Sequence, residues 1–287
     1  MTSCAVTHLL ALDIDGTLLT REYRLPCETR DAVKRARQHG VIVALATARS
    51  PAGVTTVLSD LGDVDYAVCL GGSLILRRVD GAWVNALAKV NGMVLTRDIL
   101  VQIFAACHEL GLSFAAFTES EAFIEALDPL LAKEFGLTND PYVAGRVEEN
   151  DAPVFKVLAI SDMAETEKLD RLANVLGSEV SAAKSHVNYL EIGPRGATKG
   201  SGLAVLAASL GLSAKDAAAI GDGENDLPMF AWAGTAIAMG NAPASVQAAC
   251  TWTTASCEEA GVALAIDRLL AERWVSQENA LGEVHKS

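Results

Sequence analysis

The chain has 287 residues, 51% hydrophobic and 21% charged, which excludes a disordered segment and gives room for two domains. Its net charge of −13 makes nucleic-acid backbones and anionic membranes poor partners. There is no run of about 18 uninterrupted apolar residues, and the first apolar run carries Asp13 and Asp15 where a signal peptide needs apolar residues. A cytoplasmic protein with no obligate protein partner is therefore expected.

Residues 9–13 read as a buried strand running into Asp13-Ile14-Asp15-Gly16-Thr17. Residues 29–39 have helical spacing, with Val33 and Ala36 inward and Gly40 as a stop. Residues 41–46 form a continuous apolar strand that ends at Thr47-Ala48-Arg49, and Pro51–Leu61 is a helix with proline in its first turn. Residues 66–70 give a third strand, closed by Gly71-Gly72. Strands alternating with helices, each strand apolar throughout, imply a doubly wound parallel α/β sheet covered on both faces.

The texture changes near Trp83. An amphipathic helix is predicted over 96–110, short strands over Ser113–Phe117 and Ala122–Ile124, and a helix over 129–135. A polar stretch follows through Asn139-Asp140-Pro141 and residues 148–151, then a strand at 154–160, a helix at 165–176 and a strand at 186–192. Alternation resumes with a helix over 200–210, preceded by Gly196-Ala197-Thr198-Lys199. The strand Ala217–Gly221 then opens into Asp222-Gly223-Glu224-Asn225-Asp226. A helix at 225–233, the strand Thr235–Ala238, helices at 244–249 and Gly261–Glu272, and a polar tail at 276–287 complete the chain. The expected organisation is a core made of residues 1–83 and 191–287, split by an inserted α+β domain at 84–190.

The six cysteines form no Cys-x-x-Cys pair and read as buried free thiols in a reducing compartment. The five histidines have no zinc-binding spacing. No Gly-x-Ser-x-Gly elbow supports a serine hydrolase, and no Gly-x-Gly-x-x-Gly follows the first strand as a dinucleotide site requires.

Ligands of open parallel sheets bind beyond the carboxyl ends of the strands. Asp13 and Asp15, Thr47 and Arg49, and Asp222 and Asp226 all belong to that rim. At about 4 Å and an effective dielectric near 20, each like-charge pair there costs roughly 4 kcal/mol. A divalent cation removes the repulsion, and an all-oxygen donor set favours magnesium over zinc. Neither acidic loop is a calcium-binding EF-hand, since the twelfth positions are Arg24 and Ala233. A lysine at a helix N-terminus opposes the dipole, so Lys199 makes sense when it shares an anion such as phosphate.

Asp13-Ile14-Asp15-Gly16-Thr17-Leu18, then Thr47, Lys199 and Gly221-Asp222-Gly223-Glu224-Asn225-Asp226, resemble in order and spacing the haloacid dehalogenase-like superfamily, and most nearly its Cof-type phosphatases with a large α/β cap. The resemblance covers essentially the whole chain. It implies that Asp13 is a nucleophile forming an aspartyl-phosphate and that Asp15 is the general acid and base. It further implies Mg²⁺ held by Asp13, Asp15 through its main chain, and Asp222, with Asp226 in support. Thr47, Ala48, Arg49, Lys199 and Asn225 would bind the phosphate, Asn225 orienting Lys199 or the phosphate. Two departures stand out: Ala48 where the family usually has glycine, and Gly71 where it usually has asparagine before Gly72. The Met239-Gly240-Asn241-Ala242 run also fits the family pattern. The expected activity is a Mg²⁺-dependent phosphatase for small metabolites, sugar phosphates above all, with pyridoxal phosphate or flavin mononucleotide as further substrates. A phosphosugar mutase and a non-catalytic phosphometabolite-binding protein are the alternatives. Glu119, His186 and Asn188 are positional candidates for substrate contacts in the cap.

Overall fold

A computed structural model of the chain describes residues 8–62, 64–86, 94–145 and 151–272. The polar tail expected at 276–287, Cys4, His285 and residues 148–150 lie outside them. In chain order the first elements are β1 (Leu9–Leu12), α1 (Cys27–Gln38), β2 (Ile42–Ala46), α2 (Pro51–Leu61), β3 (Tyr66–Cys69), β4 (Leu74–Val79) and β5 (Ala82–Asn85). A second group follows: α3 (Arg97–Leu110), β6 (Ser113–Phe117), β7 (Ala122–Ile124), α4 (Pro129–Thr138), β8 (Tyr142–Ala144), β9 (Lys156–Ile160), α5 (Glu167–Leu176), β10 (Val180–His186) and β11 (Tyr189–Pro194). The last are α6 (Lys199–Ser209), β12 (Ala217–Gly221), α7 (Leu227–Trp232), β13 (Thr235–Ala238), α8 (Ala244–Ala248), β14 (Trp252–Thr253) and α9 (Gly261–Glu272).

The first sheet has the order β14-β13-β12-β1-β2-β3-β4-β5. It is parallel from β14 to β3, and β4 and β5 extend it as antiparallel edge strands. Both faces of the parallel part are buried, which is why its strands read as unbroken apolar runs. Leu10, Leu12, Val43 and Leu45 meet Val33 and Ala36 of α1 and Ile266 of α9. On the other face Ala11, Ala44, Ala46 and Ala219 meet Leu203 and Leu206 of α6 and Met229 of α7. The small alanines let α6 and α7 lie close to the sheet.

The second sheet has the order β10-β11-β9-β6-β7-β8. One face packs on α3 and α5 through Phe104, Cys107, Leu169, Leu172, Val157 and Ile192. The opposite face carries Phe117, Leu158 and Ile160, which join the same hydrophobic cluster as the first sheet. The strand predicted at 186–192 is β11, shifted to Tyr189–Pro194; what the sequence did not indicate is its hairpin partner β10, which ends at His186. The half-exposed run Val180–His186 alternates weakly and hides its strand character. β4, β5, β8 and β14 had no predicted counterpart; β5, β8 and β14 carry exposed or half-exposed residues in place of an apolar run, and β4 joins a buried Leu74-Ile75-Leu76 run to a more exposed second half.

The turn from β3 to β4 explains the glycine pair. Leu70, Gly71 and Gly72 have φ of 50°, 69° and 110°. A Cβ on Gly71 meets nothing within 4 Å, whereas one on Gly72 would lie 2.0 Å from the Thr198 carbonyl oxygen. Thr198 in turn caps α6: its hydroxyl accepts from Ser201 N at 3.1 Å, and its N–H donates to Ser201 Oγ at 2.9 Å. Gly72 therefore sets how closely the start of α6 approaches the sheet. Gly72→Ala should destabilise the protein by at least about 3 kcal/mol through strain and overlap. Gly71→Ala should cost only about 1 kcal/mol, the left-handed backbone penalty alone. Urea denaturation of the two variants would check the contrast, and equal losses would refute it.

Candidate active site

The site sits where the chain reverses direction across the sheet, with β1 flanked by β2 on one side and β12 on the other. The ladders run on into the loops: Asp13 N donates to Ile220 O at 3.0 Å and Thr47 N to Val68 O at 2.9 Å. Strand ends β1, β2 and β12 thus deliver Asp13, Thr47 and Asp222 to one rim. Asp13, Asp222 and Asp226 each offer a carboxylate oxygen, all within 4.8 Å of one another. Lys199, whose side chain is 2% exposed, sits among them, with Nζ 2.6 Å from Asp13 Oδ1 and 2.6 Å from Asp226 Oδ1.

Burial pushes the Asp13 carboxyl well above its usual range, and the Lys199 ammonium opposes that shift. Burial alone would lower the pKa of Lys199, but Asp13 and Asp226 more than offset it and hold the ammonium charged. Asp222 is pushed up to about 6 by burial and by Asp226. Three carboxylates around one ammonium leave an excess of negative charge built from oxygen donors alone, a set that suits a hard divalent cation. Asp226 has both oxygens engaged: Oδ1 on Lys199, and Oδ2 accepting from Asp222 N and Gly223 N, each at 2.9 Å. It is a buttress for the Asp222 loop and a direct partner of Lys199. Asn225 lies in the same short turn, beside Gly223.

Asn241 ties the two acidic loops together. Its Nδ2 donates to Gly16 O at 2.9 Å and to Asp222 Oδ2 at 3.0 Å, and its Oδ1 accepts from Cys257 N at 2.9 Å. Gly16 has φ of 74°, and a Cβ there would lie 2.3 Å from Asp222 Oδ2, so only glycine admits the contact. The sequence marked Asn241 only within a motif run; its clamping role depends on contacts far away along the chain.

Asp15 faces the more open side, its side chain 44% exposed. Arg49 grips it bidentately, Nη2 to Oδ1 at 2.6 Å and Nε to Oδ2 at 2.9 Å. Arg49 N donates to Thr47 Oγ1 at 3.1 Å. Ala48 is not among the residues with positive φ, so alanine carries no backbone strain where the family pattern has glycine. Two residues that the sequence reading gave no role also touch this loop: Lys156 Nζ donates to Ala48 O at 2.8 Å, and Asp140 accepts from Ser50 Oγ. The positional candidates have partners of their own: Glu119 accepts from Asn85 Nδ2 at 3.3 Å, Asn188 donates to Ser161 O at 3.1 Å, and His186 stands edge-on to Tyr189.

Residues 10–266 match the family of haloacid dehalogenase-like hydrolases. The chain is 30% identical to the 5-amino-6-(5-phospho-D-ribitylamino)uracil phosphatase YwtE of Bacillus subtilis, across 92% of this chain and 99% of that protein. It is 27% identical to the HMP-PP phosphatase of Yersinia enterocolitica, across 89% and 93% respectively. Among solved structures, a haloacid dehalogenase-like hydrolase from Bacteroides thetaiotaomicron superposes with a TM-score of 0.77 at 27% identity, covering 92% of this chain and 99% of that one. The subclass IIB sugar phosphatase BT4131 shares the fold, with a TM-score of 0.78 at 22% identity over 91% and 98%.

Lys199→Met leaves two buried carboxylates without their counter-charge and should destabilise the fold by about 3–5 kcal/mol at pH 8. The loss should shrink at pH 5. A buried carboxyl whose pKa is raised by folding favours the folded state at low pH, and that contribution is lost as pH rises through the folded pKa. Urea denaturation of wild type and variant at both pH values measures the difference; a loss independent of pH would contradict the assignment of charge.

Proposed function

The chain belongs to the haloacid dehalogenase-like hydrolases and is a phosphatase of that superfamily, and from this premise we propose that it hydrolyses sugar phosphates through an aspartyl-phosphate on Asp13. The observation that carries this reading is the buried Asp13–Lys199–Asp226 unit beside Asp222, with Asp15 and Arg49 paired above it on the open side. The phosphorylated ribityl chain in the name of the Bacillus relative's substrate supports the choice of polyol and sugar phosphates. The six-stranded sheet supports a cap inserted between β5 and α6, with the expected bounds of 84 and 190 falling inside β5 and β11.

In this reading Asp13 attacks phosphorus through a carboxylate oxygen, and the bond from phosphorus to the sugar oxygen breaks. Asp15 gives its proton to that leaving oxygen. It then takes a proton from the water that attacks the aspartyl-phosphate, which returns Asp13 and frees inorganic phosphate. Thr47, Lys199 and the main chain at Ala48 and Asn225 hold the phosphoryl oxygens where charge concentrates. Arg49 is bound to Asp15 in the substrate-free protein. A dianionic phosphate competes for that guanidinium, so substrate entry draws Arg49 away and frees the Asp15 carboxylate to take up a solvent proton, which it then gives to the leaving oxygen. Asp13, the Asp15 main chain and Asp222, backed by Asp226, would hold Mg²⁺, which supplies positive charge to the phosphoryl oxygens.

Phosphate release from a panel of sugar phosphates, nucleotides and phosphorylated cofactors should require Mg²⁺, stop with chelator, and fall at least about a thousandfold in Asp13→Asn. Release that persists in Asp13→Asn would overturn the nucleophile. Mg²⁺ at about a hundredfold over its dissociation constant should add roughly 2.7 kcal/mol of stability to wild type. Asp222→Asn should lose most of that gain in a thermal-shift titration.

A further inference from the structure

The cap-side sheet contributes one charged residue that reaches the phosphate-binding loop. Lys156, at the start of β9, has a side chain only 6% exposed, and its partner Glu191 on β11 is 14% exposed. Lys156 Nζ lies 2.6 Å from Glu191 Oε2 and donates to Ala48 O at 2.8 Å. It also lies 4.5 Å from the centre of the Phe117 ring. The ammonium thus has one hydrogen-bond acceptor, the Ala48 carbonyl, with the Glu191 carboxylate in ion-pair range and the Phe117 ring covering a further side. Glu191 is fixed from the other side, its Oε1 accepting from Ser185 Oγ at 3.0 Å.

The Ala48 carbonyl belongs to the peptide that joins Ala48 to Arg49, one residue beyond Thr47. The two neighbouring carbonyls are held by the core itself: Thr47 O accepts from Gly71 N and Arg49 O from Leu70 N, each at 3.0 Å. Only the middle one is held by the second sheet. Ser50 adds another link, donating to Asp140, and Asp140 follows α4. The loop that carries Thr47 and Arg49 is thus shared between the two sheets.

We propose that Lys156, held by Glu191, is a positioning residue for phosphoryl transfer: it sets the Thr47–Arg49 loop only when the cap is seated, so that cap seating and phosphate grip are one event. The proposal rests on the phosphatase reading above. A role in stability alone does not explain the pair, because replacing a buried ion pair by apolar residues is often neutral or stabilising. What apolar residues cannot replace is the donor at Ala48 O. A displacement of about 1 Å at a substrate-positioning group can reduce turnover by about a hundredfold.

The test compares wild type, the double variant K156M/E191L and the single variant Lys156→Arg. Arg keeps the charge beside Glu191 but cannot place a single donor as lysine does. Thermal melting, kcat and KM on the best ester of the panel, and stabilisation by inorganic phosphate with Mg²⁺ are measured for each. The expected result is folded variants with kcat lowered by about tenfold to a hundredfold and with phosphate-induced stabilisation weakened in parallel. Should the double variant not fold, Lys156→Arg alone decides. Variants that match wild type in kcat and in phosphate-induced stabilisation overturn the proposal. A wild type that hydrolyses no ester would sink the phosphatase reading instead; the phosphate-stabilisation arm then still supports the positioning role if weakened in the variants, and overturns it if unchanged.

Discussion

One buried ammonium makes the rest of the site affordable. Lys199 bridges Asp13 and Asp226, and without it the carboxylates at the ends of β1 and β12 would repel one another across a space from which water is excluded. Its placement constrains much of the core. The residue must open α6, so Thr198 caps that helix, and the helix must lie against the sheet, so Gly72 has no side chain. Asp226 must face inward, so its second oxygen gathers two backbone N–H groups and shapes the turn after β12. The geometry of three loops follows from giving one lysine two partners.

The loops then divide the labour by exposure. The buried side joins Asp13 and Asp226 to one Lys199 ammonium in two short ion pairs. The open side, Asp15 with Arg49, is joined by an ion pair that an arriving anion can compete for. A site built this way keeps Asp13 out of solvent while leaving Asp15 open to what binds.

Much of this was legible in the sequence, and for a physical reason. Acidic residues that terminate apolar runs are costly, so Asp13, Asp15 and Asp222 announced themselves, as did Lys199 at a helix start whose dipole it opposes. The parallel strands were legible because burial on both faces removes polar alternation. The edge strand β10 was not, since its largely half-exposed and exposed residues follow no strict period. Lys156, Asp140 and Asn241 act through main-chain atoms or loop side chains remote in sequence, and a single polar residue in an otherwise ordinary segment gives no local sign of such a partner. The Ala48 and Gly71 departures became intelligible only from backbone angles: one position has no need of glycine, and the other is left-handed, where glycine serves as well as asparagine.

The place of β1 in the sheet also bears on how the protein is made. Leu9 pairs with Ile42 on one side and with Ala217 on the other, and the second partner is synthesised only after the whole intervening sheet. Closing so long a loop is slow, and until it closes the apolar edge of β1 has no neighbour on that flank, a hazard for a nascent chain. The same topology means that Asp13 meets Asp222 only once β12 has joined β1.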